Sequence, residues 1–226
     1  GQAEAFTAGT IVLTEEGEYE IVAAAVDKAG NESDSSTLTV KIDLTPPGAP
    51  HIDLSGVNQN GWAKGNVTVT VTEAVYTVGG VVYSEYRIGD SGPWEIYTGP
   101  FEVGGEGIHP VYARTVDTAG YQGAESVRYV KIDLTKPEKP FIQLNGQLGK
   151  DGWVRAVTVE MAPGADELSG PDYVEYRIGD TGQWIRYTHR LEETEFMAEG
   201  TYVLYARTVD KAGNVSDEAS VEFKVD

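Results

Sequence analysis

The 226-residue chain contains no cysteine, which excludes disulfides, thiolate metal centres and cysteine nucleophiles. Histidine is nearly as scarce. Its three residues show no recurring pair at metal-ligand spacing, so a zinc centre is not expected. Positive charge is also short, with 17 Lys and Arg against 36 Asp and Glu and a formal net charge of −19. A nucleic-acid partner and an anionic membrane surface are both disfavoured, because a phosphate backbone is bound by clustered Lys and Arg. No apolar run approaches the roughly 20 residues of a spanning helix, and no signal peptide is visible. A sustained 3.6-residue apolar period is missing as well, so helix is expected to be nearly absent. What is left, 40% hydrophobic and 23% charged, is the composition of an ordinary folded protein.

The hexapeptide VDKAGN at residues 26–31 returns as VDTAGY from Val116 and as VDKAGN from Val209. Asp27 and Asp117 lie 90 residues apart, as do Asp43 and Asp133 in the phrases KIDLTPP and KIDLTKP. From Asp117 to Asp210 is 93 residues, so the third copy carries a three-residue insertion, placed at residues 192–195. The pairs Gly61-Trp62 and Gly152-Trp153, and YRIGDSGPW and YRIGDTGQW, keep the same order. A repeat of this length is a whole small domain, longer than the roughly 20 to 50 residues of a solenoid unit. Residues 47–135 and 136–226 are each expected to form a complete domain. Residues 1–46 match only the second half of a copy, and its first three strands are expected from elsewhere in a parent protein or from another chain.

Within each copy, NVTVTVTE, VVYSEYRI and SVRYVKID alternate apolar and polar residues at period two, and turn signals such as Gly79-Gly80, Gly104-Gly105 and Ala119-Gly120 separate the runs. About seven short strands per copy indicate an all-β chain of tandem immunoglobulin-like β-sandwiches. VDKAGN then falls at the hairpin between the last two strands. There Asp caps its own turn's amides and Gly supplies a positive φ, which makes the motif first of all a corner.

The order Gly152-Trp153, a Val-Thr strand, Ser169-Gly170, Tyr176-Arg177, Trp184, Tyr187, Gly200-x-Tyr202, Ala206 and residues 210–214 resembles the bacterial Ig-like repeats of secreted and cell-surface proteins, including the class named for a leptospiral surface protein. The second copy departs from that pattern at Gly79-Gly80, His109 and Tyr121. The resemblance implies an extracellular or cell-surface location and tandem use in adhesins, S-layer-associated proteins and extracellular glycoside hydrolases. It also implies calcium at the junctions between domains, as in adhesin arrays with similar linkers.

Four sets of residues bear on function. Gly89-Asp90-Ser91-Gly92 mimics a serine-protease nucleophile, but the same turn in the next copy reads Gly179-Asp180-Thr181-Gly182, so it is a hairpin connection and no enzyme is expected. His51 aligns with Phe141, and His109 with Tyr19 and Tyr202, so both read as packing residues. Trp62 with Trp153 and Trp94 with Trp184 form two columns that either bury their rings or expose them for stacking on sugars. The acids Asp43, Glu73 and Asp117 are expected near one junction and Asp133, Asp166, Glu167 and Asp210 near the next, where carboxylates from flexible loops would suit calcium. The Pro-rich linkers LTPPGAP and LTKPEKP should limit swing. The reading is a non-catalytic spacer or stalk that requires no cofactor, with calcium as the one candidate ion and other domains of a larger protein as partners. The alternative is a carbohydrate- or host-surface-binding module of an adhesin or glycoside hydrolase.

Overall fold

The structure, a computed structural model, describes residues 9–74, 79–196 and 198–225. Residues 1–8 of the half copy, and Asp226, lie outside the described residues. The half copy supplies β1 (Gly17–Ala23) and β2 (Ser36–Ile42). The second copy supplies β3 (His51–Ser55), β4 (Val67–Thr72), β5 (Val81–Ile88), β6 (Glu95–Ile96), β7 (Phe101–Val103), β8 (Gly107–Asp117) and β9 (Ser126–Ile132). The third supplies β10 (Phe141–Leu148), β11 (Trp153–Ala162), β12 (Pro171–Ile178), β13 (Ile185–Arg186), β14 (Gly200–Asp210) and β15 (Ala219–Val225). Short 3-10 turns at Lys150–Gly152 and Glu193–Glu195 are the helical segments among the described residues. The chain is therefore all-β, in tandem immunoglobulin-like copies with a half copy first.

Alternation in the sequence is alternation in burial. In β4, Val67, Val69 and Val71 are buried and the threonines between them are not, as a strand with one face on a core requires. The sheets run β1-β2, β3-β4-β7, β6-β5-β8-β9 and β10-β11-β15-β14-β12-β13. In the last of these β11 joins β15 in parallel, through Trp153 opposite Lys224 and Val154 opposite Val225, and its other pairs are antiparallel. Contacts gather the chain into two compact units. One comprises Gly1–Ile52, Val71–Gly99 and Val111–Arg128, and the other Asp53–Thr70, Pro100–Pro110 and Tyr129–Asp226, so residues 47–135 contribute to both.

The core of the third copy shows what holds a complete repeat together. Val157 and Val159 of β11 pack with Leu204 and Ala206 of β14 and Phe223 of β15, all buried. The three-residue insertion has a role here. It forms the 3-10 turn Glu193–Glu195, closed by a reciprocal capping box between Glu192 and Glu195, and delivers Phe196 edge-on to Phe223 at 5.0 Å. Burying such a ring stabilises by about 1.5–3 kcal/mol. Leu191, just before it, exchanges two backbone hydrogen bonds with Val159 at 2.9 and 3.0 Å.

The half copy has the same columns in a different setting. Tyr19 lies opposite Val40 and Ile21 opposite Leu38, the register that Tyr202 with Phe223 and Leu204 with Val221 keep in the third copy. Val26 is 61% exposed, whereas Val116 and Val209 in the same column are 7% and 6% exposed. Leu38 is exposed too. Among the described residues, this sheet carries a core-type face without a core over it.

Two histidine expectations divide. His51 and its column partner Phe141 are both exposed, so that column faces outward at the start of a strand, and the packing expectation for His51 is corrected. His109 is half-buried, and its ring nitrogen meets the Gly105 carbonyl at 2.9 Å. Tyr19 and Tyr202 donate their hydroxyls to the carbonyls of Glu15 and Ala198. This column ties the strand to the residue four positions before it, and imidazole substitutes for phenol in the second copy.

The covered and open columns make a direct comparison. Leu204→Ala should lower unfolding stability by about 2–5 kcal/mol, and Ile21→Ala, in the same column of the half copy, by under about 1 kcal/mol, read by chemical denaturation.

Candidate functional site

The turn of residues 27–31 is built by one carboxylate. Asp27 Oδ1 accepts from the amides of Ala29 and Asn31 at 2.8 and 2.9 Å, and Oδ2 accepts from Asn31 Nδ2 at 2.9 Å. Gly30, at φ +89°, closes the turn by donating to the Asp27 carbonyl. The other copies repeat the plan. Asp117 Oδ1 holds the amides of Ala119 and Tyr121, and Asp210 holds those of Gly213 and Asn214. Tyr121 has no amide side chain to give, so Asp117 Oδ2 is buried without a hydrogen-bond partner among the described residues.

Among the described residues, the third of these turns alone has its carbonyls clamped by side-chain donors from another copy. Asn58 Nδ2 donates to the carbonyls of Lys211 and Ala212 at 2.8 and 3.1 Å, Asn60 Nδ2 to Lys211 at 3.2 Å, and Lys64 Nζ to Gly213 at 2.9 Å. The loop is held by hydrogen bonds of its own. Asn58 Oδ1 accepts from the amides of Asn60 and Trp62, and its backbone pairs with Trp62 and Gly61, so its amide nitrogen projects outward. Ala63 and strand β9 add two backbone bonds, from Ala63 to the Lys131 carbonyl and from Asp133 to the Ala63 carbonyl. Asn214 Nδ2 donates to the Asp133 carbonyl at 3.0 Å. The effect of docking is visible in one residue: Ala212 is 4% exposed, while Ala29 and Ala119 in the same column are exposed.

The acids at this junction come together. Asp133, Asp166 and Asp210 each place a carboxylate oxygen within 4.8 Å of the others. Asp133 also accepts from the amides of Thr135 and Ser169, and Asp166 Oδ2 from the Gly170 amide at 2.6 Å and from Ser169 Oγ. These donors offset part of the repulsion among three carboxylates. Hard cations such as calcium take several oxygens from loops, and this donor set is of that chemistry. Glu167, named beside Asp166 in the sequence, is not in the trio. Asp43, Glu73 and Asp117 form no equivalent trio among the described residues, and Glu73 is exposed. Ser169-Gly170 aligns with Gly79-Gly80, so the column of Asp166 falls at Tyr76 and the second copy has no acid there.

Burial and the nearby Asp133 charge act on Asp210. Burial is the larger cause and raises its pKa above the ordinary 3.8, against the lowering by Asn214 and Gly213. Asp27, in the same turn but exposed, is lowered, chiefly by the Asn31 side chain and amide. One turn sequence thus gives opposite shifts, and burial of the aspartate is the difference.

Two of the four tryptophans, Trp94 and Trp184, are engaged by arginines. Arg114 lies 4.1 Å and Arg87 5.0 Å from the Trp94 ring centroid, and Arg207 and Arg177 lie 4.0 and 5.0 Å from that of Trp184. Glu85 and Glu175 pair with Arg114 and Arg207 in turn. Trp94, Trp153 and Trp184 are half-buried, and Trp62 is 7% exposed with Lys131 5.8 Å from its ring. A sugar stacking on Trp94 or Trp184 would compete with guanidinium groups. In the protease-like turn, the Asp90 carbonyl accepts from Arg87 and its carboxylate from Tyr112 at 2.5 Å, and Asp180 does the same with Arg177 and Tyr205.

No family model matches the chain, and no curated protein matches it. Among solved structures it is similar to fibronectin(III)-like modules of Clostridium thermocellum CbhA, at 17% identity over 77% of this chain and 94% of that one, with a TM-score of 0.41. It is also similar to the central fibronectin-III array of RIM-binding protein, at 12% identity over 93% and 76%, with a TM-score of 0.30.

Two devices escaped the sequence reading. Glu106 accepts from Leu134 N at 3.2 Å and Thr135 Oγ1 at 2.8 Å, pinning the start of the second linker, and Glu16 holds Leu44 and Thr45 of the first linker in the same way. Their spacing of 90 residues was the available signal. The 58–64 loop had no such signal, because the third copy places Gly149 and Asp151 where the second has Asn58 and Asn60.

Carboxyl carbon NMR should show Asp27 titrating below 3.8 and Asp210 above it. The stability consequences have opposite signs. The Asp27 contribution is present above 3.8 and is lost as pH falls through its lowered pKa. Protonated Asp210 stabilises below 3.8, and that contribution disappears as pH rises through its raised value.

Proposed function

We propose that this chain is a non-catalytic spacer, a tandem of immunoglobulin-like domains at residues 47–135 and 136–226 preceded by the half copy at residues 1–46. It holds other domains of a larger secreted or surface-anchored bacterial protein at a set separation. The observation that carries this reading is the clamp of Asn58, Asn60 and Lys64 on the carbonyls of residues 211–213. A flexible string of beads needs no such clamp. A spacer that must keep its direction does, and the Glu106 tie at the linker serves the same end.

Calcium at the junction is a second element of the proposal, favoured by the three carboxylates within 4.8 Å. Here Asp133, Asp166 and Asp210 would hold the ion, which would neutralise their mutual repulsion and tie the linker to two loops of the third copy. Binding to the folded state alone at 100 times Kd stabilises by about 2.7 kcal/mol. Adding calcium to chelator-treated protein should raise the melting temperature and reduce interdomain bending in solution scattering, and Asp166→Asn should abolish both responses. Identical melting and scattering in chelator and in calcium would remove the ion from the account.

The binding-module alternative makes a separate demand, that rings leave their arginines for sugar. Acrylamide should quench the half-buried tryptophans weakly, and a glycan array should be blank. A glycan hit that protects tryptophan from quenching would replace the spacer reading with a binding one.

A further inference from the structure

The clamp on the third turn reads backbone carbonyls, and the same carbonyls are presented elsewhere without it. Residues 26–31 and 209–214 are the same hexapeptide, closed by the same aspartate and asparagine bonds. In the third copy Lys211, Ala212 and Gly213 give their carbonyls to two carboxamides and an ammonium, and Ala212 is buried. In the half copy Lys28, Ala29, Gly30 and Asn31 are all exposed. The open column of Val26, and the exposed Leu38, belong to the same half copy.

We propose that the exposed turn at residues 28–30 is a docking element for a loop of the chemistry Asn-x-Asn-Gly-Trp-x-Lys on a neighbouring repeat, which would seize its carbonyls as the 58–64 loop seizes those of residues 211–213. The partner is specified by its donors. It needs two carboxamide NH2 groups and one ammonium, held by an asparagine-anchored turn, and three carbonyls of fixed geometry receive them. The 149–155 loop of the third copy does not qualify, because Gly149 and Asp151 stand in the places of the two asparagines and neither side chain can donate. The partner is therefore a repeat of the second copy's kind. The inference rests on the tandem-spacer reading and gives it a rule of assembly: a repeat with the donor loop precedes a repeat with the acceptor turn.

The test extends the chain at its N-terminus with its own residues 47–180, so that the added segment runs into Gly1 in the same repeat column and an added 58–64 loop stands ahead of residues 26–31. Amide hydrogen exchange of residues 27–33 is compared with that of residues 210–216 in the same molecule. In the unextended chain the first set should exchange at least about tenfold faster, and in the extended chain the two should agree within about threefold. Asn58→Ala with Asn60→Ala in the added loop alone should restore fast exchange at residues 27–33 while β1 and β2 stay slow. Slowed exchange in β1 and β2 with residues 27–33 as fast as before overturns the proposal, and leaves the spacer reading standing if the extended chain is a monomeric tandem. If β1 and β2 are not slowed, the added half has not folded and the unextended chain decides. There the same double substitution should bring residues 210–216 to the exchange rate of residues 27–33, and unchanged protection overturns the proposal.

Discussion

A single carboxylate holding the amides of its own turn is the constraint on which the rest of this architecture depends. Asp27, Asp117 and Asp210 each fix a tight connection between the last two strands of a copy. In the third copy that connection sets β14 against β15 in register, with Tyr202 opposite Phe223 and Leu204 opposite Val221. A register slip of one residue would turn the core face outward. The same turn leaves its carbonyls pointing away from the strands, and these carbonyls are what the 58–64 loop takes. Folding within a copy and coupling between copies thus share one element.

The aspartate of the same turn also takes part in the chemistry of the junction. Asp210 is buried beside Asp133, which raises its pKa, and Asp166 lies within reach of both. Hydrogen bonds from Thr135, Ser169, Gly170, Gly213 and Asn214 make the charge tolerable, and a divalent cation would complete the compensation. The second copy lacks two parts of this arrangement. Tyr121 leaves Asp117 Oδ2 without the amide that Asn214 provides, and Tyr76 stands in the column of Asp166.

How much of this was legible in the sequence depends on whether a device leaves a residue-type signature. The repeat, the half copy and the aspartate turn were readable because Asp, Gly and the period-two valines are each required by their conformations. The insertion before Phe196 was readable as an offset, and its purpose, carrying that ring into the core, was not. The gathering of Asp133, Asp166 and Asp210 followed from which loops share an end of a sandwich, whereas Glu73 is exposed and joins no such group among the described residues, because loop position alone does not aim a side chain. The clamp was illegible for a deeper reason. Its acceptors are backbone carbonyls, which every residue has, and its donors occur in only one copy. Likewise, the tryptophan columns did not reveal that Arg114 and Arg207 lie over the rings.

Side-chain donors on one copy hold a backbone turn on the next and so fix the junction between them. The absence of cysteine allows spin labels at two introduced sites, at the exposed residues Glu102 in the second copy and Glu222 in the third. Pulsed electron double resonance should give one narrow distance distribution in the parent chain, and a broad one after Asn58→Ala, Asn60→Ala and Lys64→Ala are combined. A broad distribution in the parent, or one that the triple substitution leaves unchanged, would contradict the account.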